Sequence, residues 1–331
     1  MFKKFINFLS KNAPTLAAVF IGSCTFKAIV FLHDSRIESF ASDAYNLVLG
    51  KPHWIAYQNR LAGPTTVYLL NSLGISLRDS LLTVIFFSTI ALALLLDRYL
   101  KAFAADLERR ILLISTFMFL YIVLQHNWYY VWDNYDLILF TMFAFGILKN
   151  KSERFFLILF FVALWNRESA LFISFYFIID SVEWNKDLIK SKIRSTRKLF
   201  LGVGLSLMGI LYIKWVRHFL FVSRLNGESD SANELIGNHI QISRNMYDLF
   251  VSNLNNRNIV ITLVVIGLLV YLISSLRTMN QQQKKASMVA LLILANTLVF
   301  GIFNESRMLF VFMPFVLLIY QAQKTGTQNL K

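Results

Sequence analysis

Apolar residues form long runs along this chain, and short polar segments separate them. The runs at 81–96, 111–124 and 259–273 contain no charged residue, and each approaches the roughly 20 residues that a membrane-spanning helix needs. The ten-residue alternation of apolar and polar positions that is typical of membrane β-strands is absent. The pattern therefore predicts an all-α polytopic membrane protein, because a helix satisfies its own backbone hydrogen bonds in lipid.

About ten transmembrane helices are expected from the apolar runs, so that residues 1–331 form a single integral membrane domain. The predicted spans are 13–32, 79–97, 111–126, 135–149, 155–166, 168–181, 199–216, 258–276, 287–303 and 307–321. Two longer polar segments then become external loops, the first at 33–78 and the second at 217–257. The first loop contains the apolar stretch LAGPTTVYLLNSLGI, which predicts a helix on the outer membrane surface.

Charge is distributed unevenly between the two alternating sets of loops. The N-terminus, the C-terminal tail and the loops near 98–110, 149–154, 181–198 and 277–285 hold about 21 of the 33 basic residues and about 7 of the 19 acidic ones. The net charge of +14 is therefore a topology signal and argues against a nucleic-acid partner. It places both termini in the cytoplasm, and we expect the inner (cytoplasmic) membrane of a bacterium, where basic loops face anionic lipid.

The first external loop carries acidic and basic side chains just outside the predicted first span, among them Asp34, Asp43 and Arg60. A carboxylate in this position can act as a general base on a sugar hydroxyl. An arginine can bind a phosphate through two parallel hydrogen bonds. The alternative is a solvated loop with ordinary surface charges.

The stretch SDAYNLVLGKPHW and the following RLAGP resemble the first external loop of the GT-C superfamily of integral-membrane glycosyltransferases. In that family an acidic residue follows the first span, then an aromatic residue, a Gly-Pro segment and an Arg/Pro segment that enters a surface helix. Here Asp43, Tyr45, Gly50, Pro52 and Arg60 take those places. The resemblance implies a GT-C-like fold, with Asp43 as the catalytic base and with Tyr45 and Arg60 in contact with substrate.

Asn166, Arg167 and Glu168 interrupt the apolar stretch 155–179. The stretch is long for one span and short for two, so we expect two half-length helices that meet at the outer surface. Three polar groups in lipid are costly and usually face a cavity. Arg167 is a candidate phosphate ligand, and Glu168 is a candidate to orient it or to bind a metal. A purely structural ion pair between helices is the alternative.

Asp133 and Asp136 lie three residues apart at a predicted helix start. They are candidate ligands for a divalent cation together with another acid, or they complement the positive helix N-terminus. The neighbouring aromatic residues, including Tyr129, Tyr130 and Trp132, suit either a membrane-interface belt or a platform on which a sugar stacks. No other cofactor is indicated.

Four further candidates lie in later outer segments. Glu305 and Arg307 precede the last predicted span, where Arg307 is a candidate ligand for the donor phosphate or part of a simple surface pair. His239 and Arg244 in the second external loop are candidate acceptor contacts or ordinary solvated residues.

The chain contains no P-loop and no strand-bounded G-x-G-x-x-G motif, so a nucleotide-sugar donor is not indicated. A sugar carried on a polyprenyl phosphate meets the need for a donor at the outer face. The leading hypothesis is therefore a membrane glycosyltransferase that uses this donor and a glycan or glycolipid acceptor. An O-antigen or capsule polymerase or ligase is one alternative, and a transporter or flippase of lipid-linked glycans is another.

Overall fold

The computed structural model describes residues 2–51, 59–125, 129–183, 192–220, 240–252, 259–276, 278–300 and 309–328. The prediction of an all-α architecture is confirmed in this part of the chain. Only two two-residue strands, β1 (Val182–Glu183) and β2 (Lys192–Ile193), pair there, and they are antiparallel.

The helices, in chain order, are α1 (Phe2–His33), α2 (Ile37–Val48), α3 (Ala62–Ser72), α4 (Leu77–Ala102), α5 (Leu107–Leu124), α6 (Val131–Leu148), α7 (Glu153–Asn166), α8 (Leu171–Asp180), α9 (Thr196–Leu220), α10 (Ile242–Tyr247), α11 (Ile259–Ser275), α12 (Gln281–Phe300) and α13 (Met313–Gln328). Short 3-10 turns at Asp34–Arg36 and Glu168–Ala170 join α1 to α2 and α7 to α8. A π-helical turn, Asp248–Ser252, follows α10.

Among the described residues, five helical segments are long and apolar enough to cross a membrane: Asn12–Val48, Leu77–Ala102, Val131–Leu148, Thr196–Leu220 and Gln281–Phe300. The prediction of a membrane protein is thus supported. Helices α5, α7, α8, α11 and α13 overlap the other predicted spans, and α13 does so only from Met313. Helices α7 and α8 have only 14 and 10 residues, short of the roughly 20 that a straight span needs. The segment Asn12–Val48 runs through the 3-10 turn, so the predicted loop 33–78 starts as a helix.

Glycines allow some of these helices to approach each other closely. A Cβ atom on Gly22 of α1 would lie 2.8 Å from the Cα of Ile90 in α4, and one on Gly202 of α9 would lie 2.9 Å from the carbonyl oxygen of Ser174 in α8. Such contacts between backbones are a common basis of helix association in lipid.

One end of the bundle, here called the basic end, contains the connections α4–α5, α6–α7 and α8–α9. Buried and half-buried ion pairs join the helices there. Arg110 Nη1 donates to Asp97 Oδ1 at 2.9 Å, while Lys198 Nζ and Lys285 Nζ each lie 2.5 Å from a carboxylate oxygen of Asp180. Because the helices alternate in direction, the opposite end gathers the last turns of α7 and α9 with the first turns of α3, α6 and α8. We call it the site end.

Candidate functional site

Charged and amide side chains from four separate segments meet at the site end. This charged cluster consists of Asn59, Arg60, Asp133, Asp136, Asn166, Arg167, Glu168 and Arg217. The segment before α3, the first turns of α6, the α7–α8 junction and the last turn of α9 each contribute residues. Six of these eight residues were predicted candidates: Arg60, Asp133, Asp136, Asn166, Arg167 and Glu168.

Glu168 is the carboxylate that links two parts of the cluster. Arg60 Nη2 donates to Glu168 Oε1 at 3.0 Å, and Asn59 Nδ2 donates to Glu168 Oε2 at 2.8 Å. Arg167 Nε lies 3.9 Å from Glu168 Oε1. Two guanidinium groups and one amide therefore surround the Glu168 carboxylate and favour its charged form.

Arg167 connects the α7–α8 junction to the first turns of α6. Its Nη1 lies 3.0 Å from Asp136 Oδ2 and 3.5 Å from Asp133 Oδ1. These side chains are only 15%, 2% and 7% exposed, respectively. Asn166 Nδ2 donates to Asp136 Oδ1 at 2.8 Å and to the carbonyl oxygen of Trp132 at 3.1 Å. The Ser169 hydroxyl also donates to Asp136 Oδ1 at 3.3 Å, so three residues of the junction hold Asp136.

The break between α7 and α8 explains how three consecutive residues reach different partners. Helix α7 ends at Asn166, Arg167 is extended, and the 3-10 turn begins at Glu168. The expected pair of short helices meeting at a polar junction is observed. The Leu61 amide also donates to the carbonyl oxygen of Trp165 at 3.1 Å, which ties the start of α3 to this junction.

The aromatic residues beside the cluster are packed inside the protein. Tyr129, Tyr130 and Trp132 are all buried. The Tyr130 and Trp132 rings stack with centroids 4.4 Å apart, and the guanidinium of Arg60 lies 5.5 Å from the centroid of Trp132. For these three residues the predicted interface belt or open sugar platform is wrong, because their rings support the cluster from within the core.

Three candidates of the first external loop lie on other elements. Asp43 is half-buried on α2, which packs against α3 and α4, and α3 in turn packs against α6 and α7. Tyr45 contacts Tyr68 of α3, with ring centroids 5.4 Å apart. Asp34 is exposed and accepts a hydrogen bond from Arg78 at 2.9 Å. Helix α3 therefore contacts both α2, which carries Asp43, and the helices α6 and α7, which contribute to the charged cluster.

Of the four candidates in the second external loop and the last hairpin, only Arg244 lies in the described part of the chain. Arg244 is exposed on α10, with Nε 3.8 Å from Asp248 Oδ2. His239, Glu305 and Arg307 lie outside the described residues.

Asp133 and Asp136 both lie close to the guanidinium of Arg167. Among the described residues, no group of three or more His, Cys, Asp or Glu side chains is arranged to hold a metal ion. Binding of a divalent cation by the two aspartates stays a prediction.

Asn59 and Arg217 are cluster members that sequence reasoning missed. Arg217 Nε and Nη2 both donate to Asn59 Oδ1, at 3.3 and 3.2 Å. A signal for Arg217 was present, because it is a cation directly after the predicted span 199–216. Asn59 precedes Arg60, but nothing in the sequence distinguishes an uncharged amide in a polar loop from its neighbours.

A buried set of polar side chains lies below the cluster between α4, α5 and α6. Asn134 Nδ2 donates to Ser88 Oγ at 2.5 Å, and the Tyr121 hydroxyl donates to Asn134 Oδ1. These groups satisfy one another, as buried polar groups in lipid must.

The cluster combines three guanidinium groups, of which two are fixed by carboxylates, at one end of an apolar bundle. Three carboxylates, Asp133, Asp136 and Glu168, balance the charge of these guanidinium groups. Comparison of the chain with protein-family models, with curated proteins and with solved structures finds no match.

Proposed function

We propose that this protein is a membrane glycosyltransferase that moves a sugar from a polyprenyl-phosphate donor to a glycan or glycolipid acceptor at the outer face of a bacterial cytoplasmic membrane. The observation that supports the proposal is the charged cluster, in which Arg60, Arg167 and Glu168 meet from distant parts of the chain. The GT-C-like pattern of the first external loop, which contains Arg60, points in the same direction.

In this proposal Asp43 accepts the proton of an acceptor hydroxyl, and the hydroxyl oxygen attacks the anomeric carbon of the donor sugar. The bond between that carbon and the phosphate oxygen breaks, and the polyprenyl phosphate leaves as an anion. Arg60, Arg167 and Arg307 stabilise the charge that develops on the phosphate. Glu168, Asp133 and Asp136 hold Arg60 and Arg167 in position, so that their donors are aligned before the substrate binds.

About ten membrane crossings, with the basic end in the cytoplasm, are part of this proposal. The test compares Ser72→Cys, at the end of α3, with Ser152→Cys, before α7, in a Cys24→Ala background. Both serines are exposed, and Cys24 is the single native cysteine. We expect a membrane-impermeant maleimide to label Ser72→Cys in intact cells and Ser152→Cys only after permeabilisation. Labelling of Ser152→Cys in intact cells would overturn the orientation.

Transfer can be separated from transport with purified protein in vesicles that contain lipid-linked saccharides extracted from the source cells. The proposal predicts a new covalent product together with free polyprenyl phosphate. Movement of the saccharide across the bilayer without covalent change would identify a flippase instead. Products that grow in regular repeat units would identify a polymerase.

A further inference from the structure

Helix α7 is too short to reach from the basic end to the opposite membrane surface. It rises by about 20 Å from Glu153 to Asn166, whereas the hydrocarbon core of a bilayer is about 30 Å thick. The exposed Lys149 and Lys151, just before α7, belong among the lipid headgroups at the basic end. The α7–α8 junction therefore lies within the hydrocarbon depth, about 10 Å below the outer edge of the core.

Two longer helices extend past the level of this junction. Ser88 of α4 accepts a hydrogen bond from the first turns of α6, and the part of α4 between Ser88 and Leu77 is about 16 Å long. Gly209 of α9 packs against Leu171 at the start of α8, and the part of α9 between Gly209 and Leu220 also measures about 16 Å. The α7–α8 junction consequently lies in a recess of the site end, below the outer ends of α4 and α9.

The junction exposes a charged side chain at a depth where lipid cannot solvate it. Helix α7 ends at Asn166, and Arg167 is extended. Backbone that is not helical is tolerated at this depth only where it is buried in protein or lines a water-filled cavity. The side chain of Glu168 is 34% exposed, so protein does not enclose it. Because a carboxylate that faces hydrocarbon is costly, the exposed side of Glu168 must contact water.

We propose that a water-filled vestibule leads from the outer surface through the outer leaflet to the charged cluster, so that small hydrophilic solutes reach Glu168. Helix α3 forms one wall, because it begins beside the junction and ends at Ser72, near the start of α4. The lipid-facing side of α7 is separate, since its exposed stripe consists of Ile158, Phe161 and Trp165. The vestibule itself requires no particular reaction; within the proposed function it admits the hydrophilic acceptor.

The test measures how fast a small, charged, membrane-impermeant thiol reagent reacts with single cysteines in intact cells, in a Cys24→Ala background. Ser169→Cys places a thiol at the partly exposed junction with nearly the native shape, and Glu168→Cys is a second reporter. Phe87→Cys is the matched control, on an exposed apolar position of α4 next to Ser88. We expect both reporters to react at least about a hundredfold faster than Phe87→Cys, because the thiolate is the reacting form and apolar surroundings suppress it.

Two further variants separate a vestibule from an open surface and from a thinned bilayer. Ser72→Cys, exposed at the outer end of α3, should react with the small reagent and with a bulky polymer-linked maleimide, whereas Ser169→Cys should react with the small reagent alone. Trp165→Cys, on the lipid-facing stripe of α7, should react as slowly as Phe87→Cys.

Equally slow reaction of Ser169→Cys, Glu168→Cys and Phe87→Cys would overturn the vestibule while leaving the proposed reaction intact. Fast reaction of Trp165→Cys would overturn it as well, because water would then reach this depth through the membrane. Reaction of Ser169→Cys with the bulky maleimide would show an open surface instead of a recess. If Ser72→Cys does not react in intact cells, the orientation in the proposed function fails, and the vestibule fails with it.

Discussion

Replacing Arg167 with Gln is expected to lower the free energy of unfolding by about 3–5 kcal/mol, the usual effect of removing one partner from a buried ion pair. Asp133 and Asp136 are almost fully buried, and Arg167 lies within 3.5 Å of both. Without the guanidinium, two carboxylates remain close together in a poorly solvated site. Thermal unfolding in detergent and the amount of protein in membranes would measure the effect.

The matched control is Arg78→Gln, which removes an arginine from the same end of the bundle. Its pair with Asp34 is 45% and 66% exposed, so the change should cost less than about 1 kcal/mol. Adding Asp136→Asn to Arg167→Gln should restore part of the lost stability, because one uncompensated charge is removed. Equal stability of the Arg167→Gln and Arg78→Gln proteins would show that the buried ion pairs of the charged cluster do not stabilise the fold.

Replacing Asp43 with Asn is expected to reduce sugar transfer by about 100- to 10,000-fold, which is the usual contribution of a general base. The amide has nearly the shape of the carboxylate but cannot accept the proton of the acceptor hydroxyl. Asp43 is half-buried on α2, so we expect the variant to reach the membrane in normal amounts and to unfold at the wild-type temperature. Transfer is measured as saccharide moved from lipid to acceptor.

Asp34→Asn is the control for Asp43→Asn, because it removes an exposed acid from the same loop. It should retain transfer. Loss of activity in both variants with intact folding would point to a general need for negative charge in the first external loop. Full activity of Asp43→Asn would exclude Asp43 as the base.

The helices could be predicted from the sequence because a lipid-embedded backbone leaves few alternatives. The convergence of Arg60, Arg167 and Glu168 could also be anticipated, since charges in an apolar environment require partners. Their partners could not be predicted in detail. Whether Arg167 meets Asp133 or another acid depends on how α6 and α7 are rotated about their axes, and hydropathy contains no information on this rotation.

The burial of Trp132 shows that hydropathy also fails to predict which way an aromatic residue faces. An aromatic ring at the end of a span has the same sequence pattern whether it faces lipid headgroups or the interior. Here Trp132 stacks on the neighbouring Tyr130 and lies beside the guanidinium of Arg60, and the contact with Arg60 comes from packing between segments. Arg217 and Asn59 were missed for the same reason, because their significance arises only when α9 approaches the segment before α3.

The central claim, that this protein transfers a sugar at the outer face, is tested most directly by mass spectrometry of the cell-surface glycans. Three strains are compared: one with the wild-type protein, one without it, and one with Asp43→Asn. The account predicts that the glycan lacks the mass of one sugar in the strain without the protein and in the Asp43→Asn strain. The wild-type strain carries the complete glycan. Identical glycans in all three strains would contradict it.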